Sequence, residues 1–110
     1  MKKILISGIK DDALYVGVLE KEGHIVTKVI MNPVTPLLLK YQPDLIILGT
    51  CVNSDNGIDI IKEAKDYNKK IKIIVIGKTE QLKNELLHEG INEFLVKPVT
   101  SEQLLAAVNK

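Results

Sequence analysis

Few chemically reactive side chains lie near the strand ends where this sequence would be expected to form a site. Residues 43–49 form an apolar run that begins at a proline and ends at a glycine, which is typical of a buried central strand in a parallel sheet. In such sheets ligands bind just beyond the carboxyl ends of the strands, and Gly49, which has no side chain, ends this strand. The nearby candidates for chemistry are Asp11, Asp12, Cys51, Asp55 and Lys97.

The three aspartates have two interpretations each. Asp11 and Asp12 precede an apolar pattern at helical spacing, so we favour a helix cap over metal ligation. Asp55 lies in a polar stretch that ends at Gly57, which favours an exposed turn over a phosphoacceptor. A displaced acidic site remains the alternative for all three.

The cysteine and the two histidines are also better explained without a catalytic or metal-binding role. A reactive Cys51 would need a cationic neighbour such as Lys97 or Lys78, and we favour an unreactive thiol. Because this is the single cysteine of the chain, no internal disulfide can form, which predicts a reduced, cytoplasmic protein. His24 and His88 are predicted at the surface, and the sequence gives no spacing typical of a metal site.

Glycines after the predicted strands indicate an open crevice. Gly8, Gly49 and Gly77 would let a ligand approach the backbone, whose N–H groups can bind an anion. No GxGxxG or P-loop pattern is complete. A binding site for a small anion or cofactor at this crevice is therefore one candidate function.

The rest of the chain predicts five β-α units and hence a doubly wound parallel sheet. We place strands at residues 4–6, 24–30, 44–48, 71–76 and 92–96.

The helices between these strands have predicted ends and inner faces. The first helix should end before Gly23. The second should start at Thr35 and Pro36, and the fourth at Thr79, with Leu82, Leu86 and Leu87 directed inward. The third should bury Ile58, Ile61 and Ala64, and the last should open with a capping box of Thr100 and Gln103.

The length, the net charge and the apolar runs of the chain argue against several classes of function. The 110 residues suit one domain, over 1–110, and the formal net charge of +1 gives no general attraction to nucleic acid or anionic lipid. No apolar run approaches the length that spans a membrane. We expect no nucleic-acid or membrane partner, no metal, no cofactor and, since no nucleophile, base and oxyanion donor occur together, no enzymatic activity.

Along nearly its whole length the sequence resembles the receiver domain of two-component response regulators. The matching segments are residues 2–6, residues 43–48, Gly57, and the interval from Gly90 to Lys97 and Pro98. The resemblance implies a CheY-like, flavodoxin-like fold: five parallel strands in the order 2-1-3-4-5 with helices on both faces.

The resemblance also implies a phosphotransfer site whose residues are mostly absent here. Receivers carry a phosphoacceptor aspartate at the end of the third strand, where this chain has Gly49. The acidic pair that holds Mg²⁺ falls in the stretch of Ser7, Gly8 and Ile9, and the hydroxyl residue after the fourth strand corresponds to Gly77.

One residue of the family's phosphotransfer site is present in this chain. Lys97 matches the lysine that contacts the phosphoryl group, and it is followed by Pro98, whose preceding peptide bond is commonly cis in receivers. Lys97 is then either a solvated lysine beside a structural proline or a binder of another anion or of a partner's carboxylate.

We therefore hypothesise a stand-alone pseudo-receiver that works without phosphorylation as a protein-interaction module. By resemblance, a signalling partner or a weak homodimer would use the face formed by the fourth helix, fifth strand and fifth helix, including residues 83–84, 92–96 and 103–109. The alternatives are the small-anion or cofactor-binding domain and a working receiver with Asp55 as displaced acceptor.

Overall fold

A computed structural model gives the structure of residues 1–31, 33–49 and 54–110, with the backbone alone described for residues 54–57. In these ranges five strands alternate with five helices: β1 (Lys3–Ser7), α1 (Asp12–Lys21), β2 (Ile25–Lys28), α2 (Val34–Tyr41), β3 (Leu45–Gly49), α3 (Ser54–Tyr67), β4 (Lys72–Gly77), α4 (Lys83–His88), β5 (Glu93–Val96) and α5 (Ser101–Asn109). All neighbouring strands pair in parallel in the order β2-β1-β3-β4-β5. The predicted doubly wound fold is confirmed.

The central strand is apolar throughout because helices cover both faces of the sheet. Alternate residues of β3 enter different cores: Ile46 and Leu48 pack with α2, α3 and α4, whereas Leu45 and Ile47 pack with α1 and α5. These four side chains are buried. A parallel strand buried on both faces gives a continuous hydrophobic run rather than an alternating one.

Two helix ends follow the predicted local chemistry. Gly23 lies just beyond α1 with a φ of +89°, and its N–H donates to the carbonyl of Glu20 at 3.0 Å. At the start of α5, the Thr100 hydroxyl accepts from the Gln103 N–H at 3.1 Å. The Gln103 side chain accepts from the Thr100 N–H at 3.0 Å, which completes the capping box.

The second helix begins earlier than predicted. Pro33 is the N-cap, and Pro36 lies within the first turn, where a missing N–H costs no intrahelical bond. Thr35 does not cap the helix. Its hydroxyl and its N–H both donate to the Glu63 carboxylate on α3, at 2.7 and 3.0 Å.

The fourth helix begins later than predicted. The Thr79 hydroxyl accepts from the Gln81 N–H at 3.3 Å, and the Lys83 N–H donates to the Glu80 carbonyl at 3.0 Å, so a turn precedes the helix. In the short α4 only Leu86 of the predicted trio is fully buried, and Leu82 packs at the core margin. Leu87 is 40% exposed, so its predicted inward position was wrong.

The third helix also differs at its start. It begins at Ser54, so Asp55 and Gly57 have helical backbone instead of forming the predicted turn. Its predicted inner face is largely confirmed, since Ile61 and Ala64 are buried and Ile58 packs against the core. Among the described helices none is both long and apolar enough to cross a membrane.

Candidate functional site

The carboxyl ends of β1 and β3 meet backbone to backbone. The strands pair through Ser7 and Leu48, which brings the following residues, Gly8 and Gly49, together. A Cβ atom on Gly49 would lie 2.2 Å from the carbonyl oxygen of Gly8 and 2.7 Å from its carbonyl carbon. Real Cβ atoms do not approach other atoms so closely, so the space for a side chain at position 49 is filled by the Gly8 peptide.

Ile9 closes the same space from the side of β1. Its Cγ1 atom would lie 2.9 Å from a Cβ on Gly49. The side chain is 6% exposed and joins the core between the sheet, α1 and α5, in contact with the cluster that contains Tyr15 and Leu104. The chain after β1 is therefore anchored by apolar packing where an acidic residue would need solvent or a cation.

Lys97 lies at the end of β5 and is held by its backbone. Its N–H donates to the carbonyl of Gly77, at the end of β4, at 2.8 Å, and the Lys97–Pro98 peptide bond is cis, as the resemblance implied. The side chain is 26% exposed, and its Nζ lies 3.4 Å from Oδ1 of Asp11. Lys97 is thus ion-paired at the surface.

The two aspartates at the start of α1 serve as ion-pair partners. Asp11 is the N-cap residue, but its side chain makes no capping hydrogen bond. Asp12, in the first turn, pairs with Lys28 of β2 at 3.1 Å. Their predicted position at the helix start is confirmed, whereas the predicted capping bond is not formed, because one carboxylate turns towards Lys97 and the other towards Lys28.

A cleft of about 560 Å³ opens beside Lys97, between α1 and α5. Lys78 and Lys97 line it, as do Leu14 and Val18 of α1 and Leu104 of α5. This cleft is separate from the predicted crevice between β1 and β3, since neither Gly8 nor Gly49 lines it. The predicted crevice also borders residues 50–53, which lie outside the described ranges, so a ligand site there stays a prediction.

Two lysines at the opposite end of the sheet have shifted pKa values. Burial is the main cause of a lowered pKa at Lys2, with a smaller contribution from Lys72, and burial also lowers the pKa of Lys65. Lys2 donates to the carbonyl of Val108, and Lys65 donates to that of Ile71 at 2.7 Å. These lysines tie helices to the amino ends of the strands.

Two predicted candidates cannot be placed. Cys51 and the side chain of Asp55 lie outside the described residues, so their roles stay predictions. Of the histidines, His88 is exposed as predicted, whereas His24 is half-buried and its Nδ1 accepts from the Lys2 N–H at 3.1 Å. Within the ranges described, no group of three or more His, Cys, Asp or Glu residues is arranged to hold a metal ion.

Comparison with known proteins agrees with the fold. The family described as the response regulator receiver domain matches residues 12–109. The chain belongs to this receiver family. Receivers of this kind are signalling modules of two-component systems and interact with signalling partners.

Two curated relatives are similar to about two thirds of this receiver. It is 34% identical over 71 residues to the probable C4-dicarboxylate response regulator DctR of Halalkalibacterium halodurans, covering 63% of this chain and 31% of that protein. It is 32% identical over 71 residues to the chemotaxis protein CheY of Thermotoga maritima, covering 63% and 59%. The receiver thus spans less than two thirds of either relative.

A solved receiver structure is similar throughout. The response regulator receiver domain protein from Clostridium thermocellum superimposes with a TM-score of 0.82 at 26% identity, covering 99% of this chain and 92% of that one. Sequence reasoning identified the glycines of this receiver but missed the contact between them. The signal was present in the register of β1 and β3, which aligns two side-chain-free residues at one sheet edge.

Proposed function

We propose that residues 1–110 form an atypical receiver module that accepts no phosphoryl group and acts by binding other proteins. One observation carries the proposal: the Gly8 carbonyl oxygen lies 2.2 Å from where a Cβ of residue 49 would stand. The family's acceptor is an aspartate at this position. Here the position is glycine, and the surrounding backbone leaves no room for a carboxylate.

The family's Mg²⁺ also does not fit the residues at its usual positions. Mg²⁺ requires oxygen ligands at short distance, and Gly8, Ile9 and Gly49 have no side-chain oxygen, while Ser7 offers a neutral hydroxyl in place of a carboxylate. The buried packing of Ile9 supports the same conclusion, because it draws the chain after β1 into the core. Lys97, the remaining family residue, is paired with Asp11.

The proposed interaction face consists of α4, β5 and α5. Leu87 is 40% exposed on it, at helical spacing from Lys83 and Asn84. Nearby, Lys110 and Glu93 form an ion pair at 3.2 Å. A face that combines one exposed leucine with charged and amide groups suits a weak, transient contact, either with a signalling protein or with a second copy.

We also propose that the module has no enzymatic activity and acts in the cytoplasm.

The test is intact-mass spectrometry after incubation with Mg²⁺ and phosphoramidate. The wild type, Asp55→Ala and Gly49→Asp should all keep their mass, while a receiver with an aspartate at the acceptor position serves as positive control. Gly49→Asp should fail because its side chain has no space. A gain of one phosphoryl group in the wild type that Asp55→Ala abolishes would overturn the proposal in favour of a displaced acceptor.

A further inference from the structure

The cleft between α1 and α5 has the size and lining of a ligand site. Its volume of about 560 Å³ lies within the range of pockets that hold small organic molecules. Val18 and Leu104 contribute apolar wall, and Leu14 on the same wall is 71% exposed. A leucine this exposed at the edge of a concave surface offers apolar area that a bound molecule would cover.

The charged residues of the cleft favour an anion. Lys78 and Lys97 line it together with a single carboxylate, that of Asp11. Lys97 and Asp11 form a partly exposed pair at 3.4 Å, in which Lys97 is 26% and Asp11 58% exposed, so an incoming anion can compete with Asp11 for Lys97. Lys78 is exposed, and no carboxylate within the described ranges forms an ion pair with it.

The β5–α5 connection holds these groups in place. Lys97 is fixed through its N–H to Gly77, and Thr100 through the capping box at the start of α5. The backbone around the cleft is therefore ordered before any ligand arrives, which lowers the entropic cost of binding.

From the cleft, its apolar wall and its excess of cations, we propose that this receiver binds a small organic anion between α1 and α5. The anionic group, a phosphate or carboxylate, lies at Lys78 and Lys97. A compact apolar body lies between Leu14, Val18 and Leu104. This site goes beyond the protein-interaction function and does not depend on it.

The experiment is an NMR titration of the whole chain with three probes: phenyl phosphate, inorganic phosphate and benzyl alcohol. Phenyl phosphate should shift the methyl signals of Leu14, Val18 and Leu104 saturably. The two other probes, which lack either the apolar body or the charge, should each bind about tenfold more weakly, as expected when one favourable contact is lost. Saturable shifts confined to other parts of the molecule, or no saturable shift with phenyl phosphate, would overturn the proposal.

Variants separate a specific site from general attraction of anions to lysines. Lys78→Met, Lys97→Met and Leu14→Asn should each weaken phenyl phosphate binding, and all three residues are at least partly exposed, so folding should be retained. Lys40→Met is the matched control, because Lys40 lies on α2, on the other face of the sheet. Equal affinity in Lys78→Met, Lys97→Met and Lys40→Met would also reject the site.

Discussion

Gly8 and Gly49 restrict each other unequally: a Cβ on Gly8 would lie 3.1 Å from the Gly49 carbonyl oxygen, but a Cβ on Gly49 would lie 2.2 Å from the Gly8 carbonyl oxygen. Gly49→Ala should therefore be clearly destabilising, because the obstacle is backbone of a central strand pair. We expect a loss of about 2–4 kcal/mol in the free energy of unfolding, measured by urea denaturation.

Gly17→Ala is the matched control for that variant. Gly17 lies in α1, and a Cβ there would meet no atom within 4 Å. Alanine in a helix interior should raise the free energy of unfolding by about 0.5–1 kcal/mol. If Gly49→Ala were as stable as Gly17→Ala, the close approach of β1 and β3 would be refuted.

The two N-cap residues Thr100 and Asp11 should respond differently to alanine. Thr100→Ala breaks the capping box of α5 and should lower the free energy of unfolding by about 1 kcal/mol. Asp11→Ala removes a side chain without a capping bond and an exposed ion pair, so it should cost about 0.5 kcal/mol or less. Thermal and urea unfolding of the two variants compare these costs directly, and equal losses would contradict the assigned geometry.

Thr35 and Glu63 should make the contact between α2 and α3 sensitive to acid. The hydrogen bonds from Thr35 lower the pKa of Glu63. A carboxylate with a lowered pKa in the folded state stabilises it above the unfolded-state pKa and loses this effect as the pH falls through the folded value. Thr35→Val should therefore reduce stability at neutral pH and matter less in acid.

Thr79→Val provides the comparison for this pH dependence. The Thr79 hydroxyl accepts from a backbone N–H and has no carboxylate partner among the described residues, so its loss should cost the same at pH 7 and pH 3. Urea unfolding of both variants at the two pH values gives the result. A cost of Thr35→Val that does not decrease in acid would show that Glu63 is not stabilised as a carboxylate.

Leu87 tests the proposed α4-β5-α5 face. If a second copy binds there, Leu87→Asn should weaken self-association about tenfold, as read from sedimentation velocity over a concentration series. Leu39→Asn, on α2 and 58% exposed, is the control that should leave association unchanged. Weakening by Leu39→Asn alone would place the contact on the other side of the molecule.

The sequence predicted the fold well because its strongest signals are local and repeated. The apolar runs of β3 and β4 and the capping box of Thr100 and Gln103 each specify their element without distant contacts. Gly23 does the same for the end of α1 through its positive φ.

Helix starts that depend on competition between side chains were predicted less well. Thr35 and Thr79 both looked like N-caps, since the hydroxyl of a threonine can cap any nearby helix. In the structure the Thr35 hydroxyl donates to Glu63 on another helix. The Thr79 hydroxyl accepts from the Gln81 N–H within a local turn. Asp11 likewise faces Lys97, 86 residues away, and no local pattern indicates such a partner.

The sequence identified Gly8 and Gly49 at the strand ends but not the contact between them. Glycines at strand ends are compatible with an open crevice or with two backbones in contact, and only the register of β1 with β3 distinguishes them. The cleft between α1 and α5 was missed because its lining comes from segments far apart in sequence.

The lysines at the amino ends of the strands have a practical consequence. Lys2 donates to the carbonyl of Val108 and Lys72 to that of Lys110, so the end of α5 is held beside the starts of β1 and β4. The first turn of α5, by contrast, borders the cleft. A dye or surface tether attached at Lys110 is therefore about one helix length away from the residues of α5 that line the cleft, which keeps the attachment point apart from the ligand in binding measurements.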